Sequence, residues 1–133
     1  MGKYFSIGEL TRSSVARREG IDNTPPPDAE IRLNQLIDCL LDIVREMWGG
    51  PITVTSGFRS PRLNEAVNGV PSSQHVKGEA ADITVGNPED NRKLFELIRR
   101  SGLEFDQLID ERNYAWIHVS YSAENRCQIL HLG

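Results

Sequence analysis

His75, Asp82 and His118 are the residues of this sequence whose types and settings could do chemistry together. His75 follows the polar stretch Val70-Pro71-Ser72-Ser73-Gln74, and Asp82 comes after six intervening residues, inside the apolar run Ala80-Ala81-Asp82-Ile83. Burying an ionised carboxylate is costly unless it is paired or holds a metal, so Asp82 calls for a cation or several donors. His118 sits likewise in Trp116-Ile117-His118-Val119. Two imidazoles and one carboxylate on a d10 ion leave the fourth tetrahedral position to water, the ligand count of a catalytic rather than a structural zinc. Each residue also has an ordinary reading. A strand histidine is commonly a hydrogen-bonded core residue, and Asp82 can pair with Lys77 or Arg59. The same ligand set occurs in non-haem iron sites, but there the first histidine and the acid are usually one residue apart. The third histidine, His131, reads as a solvated strand residue.

These side chains need elements to position them. Residues 1–24 read as an N-terminal arm: Tyr4, Phe5, Ile7 and Leu10 can pack on a core, and Ser6 can cap a short helix at Ile7–Thr11. Pro25, Pro26 and Pro27 stop regular structure, and residues 25–133 follow as a single domain. Ile31, Leu36, Ile37, Leu40, Leu41, Val44, Met47 and Trp48 recur at spacings of three and four and predict a helix over Asp28–Trp48, ended by Gly49-Gly50. Ile52–Thr55 predicts a strand. Phe58–Gln74 has loop composition with room for one helical turn at Leu63–Val67. Ala80–Val85 predicts a second strand, and Asn87-Pro88 is a cap and first-turn proline for a helix through Arg100. Phe105–Asp110, Trp116–Tyr121 and Cys127–Leu132 predict three more strands. This order specifies an α+β domain with helices packed on a small, mainly antiparallel sheet.

Composition narrows the function classes. The hydrophobic share of 38% and charged share of 26% are those of a folding chain rather than a disordered one. A net charge of -4 with scattered Lys and Arg supplies no basic stripe, which argues against a nucleic-acid partner. Cys39 and Cys127 lack redox or zinc-ribbon spacing and read as buried thiols. No apolar run nears the roughly 18 residues of a membrane span, and MGKYFSIGEL lacks the apolar stretch of a signal peptide, so the expectation is cytoplasmic synthesis with no membrane association. Met1, Gly2 and Ser6 match the loose N-myristoylation pattern, which is too short to carry weight.

The run Thr55-Ser56-Gly57-Phe58-Arg59-Ser60, then Asn64, Ser73-Gln74-His75, Gly78-Glu79-Ala80-Ala81-Asp82-Ile83 and Trp116-Ile117-His118-Val119-Ser120 resembles the D-alanyl-D-alanine carboxypeptidase branch of zinc peptidases. That branch is related to lysostaphin-like and hedgehog-like domains. The resemblance covers roughly residues 4–121. It implies zinc held by His75, Asp82 and His118, and Arg59 as the arginine that holds substrate or the developing oxyanion, a task its planar fork suits. Ser73 and Gln74 become candidates for substrate contact, while Gly57, Gly69 and Gly78 serve backbone geometry. The implied substrates are peptidoglycan stem peptides or D-amino-acid peptides, cut by a carboxypeptidase or an endopeptidase. Release to the wall by a phage-type lysis system is the matching expectation. The rival is a zinc-holding binding module without hydrolysis.

One position departs from that family. Many members carry the general base three residues before the last histidine, where this chain has Ala115. Asp110 and Glu111 are the candidates just upstream. Side chains alternate along a strand, so a two- or four-residue loop centred on Asn113 and Tyr114 would set Glu111 opposite Trp116, on the face of His118. An odd loop would select Asp110. Two-residue loops are the commonest hairpin connection, which favours Glu111.

Overall fold

The computed structural model describes residues 2–133; Met1, where the acylation pattern begins, lies outside them. Helix α1 (Ile7–Thr11) starts at Ser6, whose hydroxyl accepts from the Glu9 amide, and α2 (Ser14–Glu19) starts in the same way at Ser13. Phe5 and Leu10 are buried. The amides of Lys3 and Tyr4 donate to the Asp42 carboxylate, and the Phe58 amide donates to the Leu10 carbonyl at 2.7 Å. Asn23 donates to the carbonyls of Thr11 and Phe58 and accepts from the Ser60 amide. These bonds tie the first 24 residues into the same core as the rest.

The long helix forms where its periodicity predicts, but in three parts. These are α3 (Pro27–Leu36), a π-helical turn at Ile37–Leu41, and α4 (Asp42–Trp48), closed by Gly49 at φ 78°. The wider turn brings Leu36, Ile37, Leu40, Leu41 and Val44 all onto the core. Ile31 and Met47, expected on that face, are 60% and 40% exposed. The expectation of buried thiols is also overturned, since both cysteines are exposed. Cys39 lies on the outer side of the π turn, and Cys127 lies just ahead of an edge strand that buries little.

Five strands form one sheet in the order β1-β2-β4-β3-β5: β1 (Thr53–Ser56), β2 (Ala80–Thr84), β3 (Gln107–Glu111), β4 (Trp116–Ser120) and β5 (Gln128–Leu132). All pairs are antiparallel except β3 with β5. With the helices, this is the α+β architecture that the residue pattern specifies. Ala81, Ile83, Leu108, Ile117 and Val119 alternate onto one face and are buried with Leu94, Phe95 and Ile98 of α7 (Pro88–Arg100). Complete burial of one such side chain is worth about 1.5–3 kcal/mol. The opposite face carries Asp82, His118, Ile109 and Glu111. The long polar segment lies beside it, holding the short helices α5 (Pro61–Ala66) and α6 (Gln74–Lys77).

One buried side chain joins the two layers. Asn91 of α7 is fully buried, accepts from the Val85 amide at 2.7 Å, and donates to Thr84 Oγ1 and to the carbonyls of Tyr114 and Ala115. It therefore anchors the turn between β3 and β4. Asn91→Ala leaves the part-buried groups of Thr84, Val85 and Tyr114 without their partner and opens a polar gap in the core, so a loss on the order of 3 kcal/mol is expected in urea unfolding. A loss below about 1 kcal/mol would mean that water replaces these bonds.

Candidate active site

His75 is placed by a single helical turn. Ser73 caps α6 by accepting from the His75 amide, and Gly78 ends it at φ 81°, where an added Cβ would stand 2.6 Å from the Ala29 carbonyl oxygen. Asp82 and His118 sit directly across from each other on β2 and β4. Their alternation with Ala81, Ile83, Ile117 and Val119 turns both away from the helical core. The sheet register and the α6 turn thus bring together three buried residues that are far apart in the chain.

Proton positions at these residues point to a cation. His75 Nδ1 lies 2.7 Å from the Gly57 carbonyl oxygen, an acceptor, so Nδ1 carries the proton and a neutral ring offers its lone pair at Nε2. That Nε2 is 3.4 Å from Asp82 Oδ1, and His118 Nδ1 is 3.2 Å from the same oxygen. A neutral His75 would set two acceptors face to face, a contact that a shared metal cation relieves, as would a proton on Nε2. Donor atoms about 2.0–2.1 Å from a tetrahedral zinc stand about 3.3 Å apart, which matches both contacts. His118 Nε2 is buried with no hydrogen-bond partner. Burial drives the Asp82 carboxyl upward, but hydrogen bonds from His118 and His75, when their facing nitrogens are protonated, outweigh it and hold it well below the usual carboxylate range. The chemistry of the donor set fits a zinc ion, with His75, Asp82 and His118 as its holders.

Arg59 approaches from the long loop. Its Nη2 is 3.8 Å from Asp82 Oδ2, its Nε donates to Ser56 Oγ and its Nη1 to Asn64 Oδ1. Asn64 in turn donates to the Val70 carbonyl, and Gly69 leaves the space these groups need, since a Cβ there would stand 2.0 Å from Asn64 Oδ1. The guanidinium plane is therefore fixed before any substrate arrives.

The turn between β3 and β4 is the four residues Arg112–Ala115, with Glu111 opposite Trp116 and Ile109 opposite His118. Arg112, Asn113 and Tyr114 all have positive φ. Glu111 accordingly lines the same cavity of about 390 Å³ as Arg59, Gln74, His75, Asp82 and His118. Asp110 faces the other way, 4% exposed and hydrogen-bonded to His131. Ser73 also borders the cavity, with its hydroxyl engaged in capping. Sequence reasoning missed Asp106 and Trp116, which turn out to matter around this cavity; the partners of Asp106 come from two distant segments, so no local spacing marks it.

A family model described as Peptidase M15 matches residues 3–120, from the arm to the end of β4. The zinc D-Ala-D-Ala carboxypeptidase of Streptomyces albus G is 41% identical over 61 residues, which cover 44% of this chain and 24% of that protein. The chain thus spans about a quarter of the length of the curated relative it matches.

Proposed function

The chain belongs to the M15 peptidase family, and on that premise we propose that it hydrolyses peptide bonds in the stem peptides of bacterial peptidoglycan, as a D,D-carboxypeptidase or an endopeptidase. The observation that carries this reading is the convergence of His75 Nε2 and His118 Nδ1 on one oxygen of Asp82 at 3.4 and 3.2 Å, beside a cavity. Zinc bound there supplies a Lewis acid and lowers the pKa of water to about 7. The chain's own residues divide the remaining work. Glu111 takes a proton from the attacking water and returns it to the leaving amine. Arg59, its plane set by Ser56 and Asn64, offers N–H groups to a substrate oxygen that gains negative charge.

A peptidoglycan substrate lies outside the cytoplasmic membrane, so this function requires export or release by a phage-type lysis system. The test is to incubate the zinc-loaded chain with peptidoglycan and with soluble stem peptides and to follow products by mass spectrometry. Released D-alanine or shortened peptides support the proposal. If both substrates stay intact while zinc remains bound, the chain is a zinc-holding binding module instead. Arg59→Lys is expected to lower kcat/KM roughly 10- to 100-fold, because a charge-assisted hydrogen bond is worth about 1.5–3 kcal/mol and an ammonium cannot serve Ser56, Asn64 and substrate in one plane. Unchanged kcat/KM would remove Arg59 from the mechanism.

A further inference from the structure

Asp106 precedes β3 and is 2% exposed, yet its carboxylate has a full set of donors. Oδ1 accepts from the backbone amide of Arg126 at 3.1 Å and from its Nε at 2.9 Å. Oδ2 accepts from Arg126 Nη2 at 2.9 Å and from Gln74 Nε2 at 2.6 Å. The Arg126 hydrogen bonds outweigh burial and hold this carboxyl well below the usual range, so it is ionised and only accepts. The Gln74 amide must therefore turn its NH2 toward Asp106, which sends its carbonyl Oε1 the other way.

That oxygen is buried and has no partner. Among the described residues three buried side-chain atoms lack a partner: Gln74 Oε1, Trp116 Nε1 and His118 Nε2. All three belong to residues lining the cavity beside the metal-holding triad. A buried acceptor without a donor is costly, and a cluster of such atoms around one cavity marks groups that a ligand completes. Gln74 Oε1 can only accept and Trp116 Nε1 can only donate, which is the complement of a peptide backbone with its alternating N–H and C=O groups.

We propose that Gln74 is a fixed hydrogen-bond acceptor for a backbone N–H of the substrate, held in that orientation by Asp106 and Arg126, with Trp116 donating to a substrate carbonyl. The assignment rests on the peptide-substrate reading above and adds to it the residue that reads an N–H beside the cut bond. Gln74 directly precedes His75 on the same helical turn, so its carbonyl is fixed relative to the metal centre. Asp106 and Arg126 are positioning residues.

Two measurements test this. In nitrogen-15 NMR spectra of the zinc-loaded chain, the side-chain NH2 of Gln74, identified by its loss in Gln74→Met, is expected to exchange slowly with solvent and to become fast-exchanging in Asp106→Asn. A freely exchanging NH2 in the unmodified chain overturns the orientation whatever the substrate. The second is calorimetric titration of the zinc-loaded Glu111→Gln chain with a capped peptide ending in two D-alanines, and with analogues in which one non-scissile amide N–H at a time is replaced by an ester oxygen. One analogue is expected to bind about tenfold or more weakly than the parent, because an acceptor is left facing an acceptor. That ratio falls to about one in Gln74→Met and shrinks in Asp106→Asn with zinc content unchanged, whereas Trp116→Phe weakens parent and analogue alike. A ratio that survives Gln74→Met overturns the inference and leaves the peptide reading standing. If the parent peptide neither binds nor is cut while zinc is held, the peptide reading fails and the role of Gln74 fails with it.

Discussion

His118→Ala is expected to lower zinc affinity by roughly 10²- to 10³-fold, the share of one ligand when about 10–16 kcal/mol of zinc binding is divided over a four-coordinate site. The ring has little other structural work. Its Nδ1 faces only Asp82 Oδ1, its Nε2 has no partner, and its other close aromatic neighbour is His75, at 5.1 Å between ring centroids. The variant should therefore fold, and the loss should appear as a change in metal linkage rather than as unfolding. The unmodified chain should carry one zinc, and excess zinc should raise its melting temperature, since a ligand at about 1,000 times its Kd adds about 4 kcal/mol to stability. His118→Ala should show neither full occupancy after dialysis against a weak chelator nor that rise. Full occupancy and an undiminished thermal shift in the variant would place the metal elsewhere, and the mechanism built on the triad would fall with it.

Much of the site could be read from the sequence because its geometry follows from short-range rules. Strand alternation puts Asp82 and His118 opposite Ala81, Ile83, Ile117 and Val119, so one apolar pattern fixes both the core face and the polar face. Asn87-Pro88 marks the start of α7, where Asn87 accepts from the Asp90 amide, because caps satisfy the first free amides locally. What the sequence concealed depends on partners far along the chain. Nothing near Asn91 announces that its amide will hold the carbonyls of Tyr114 and Ala115, and nothing near Gln74 announces Asp106. The exposed cysteines show the same limit. The lack of redox or zinc-ribbon spacing makes both read as buried thiols, whereas Cys39 stands outside the helical positions Leu36, Ile37, Leu40 and Leu41 that face the core. The first 24 residues look like an arm in composition. Phe5 and Leu10 pack on the core as their apolar pattern predicts, but the bonds of the Lys3 and Tyr4 amides to Asp42, of the Phe58 amide to Leu10 and of Asn23 to Thr11 and Phe58 have no local signature.

Glu111→Gln is expected to lower kcat on peptide substrates by roughly 10²- to 10⁴-fold, the usual worth of a positioned general base, with zinc retained and KM little changed. Ala115 occupies the position where many members of the family that the chain resembles carry their acid, so the proton acceptor has to come from another backbone position that faces the same cavity. The four-residue turn sets Glu111 opposite Trp116, and Ile109, two residues before it, opposite His118, so Glu111 and His118 share a face. Gln keeps the size and polarity of the side chain but accepts no proton at neutral pH, which is why chemistry rather than binding should suffer. Asp110→Asn is the control. Asp110 is buried against His131 on the helical side of the sheet, so its replacement should lower stability while leaving kcat per folded molecule within a few-fold of the unmodified chain. Loss of turnover in a folded Asp110→Asn, with Glu111→Gln near normal, would reverse the assignment. Full activity in both variants would mean that the proton goes to a group outside this hairpin, and the metal triad would then stand without the base proposed for it.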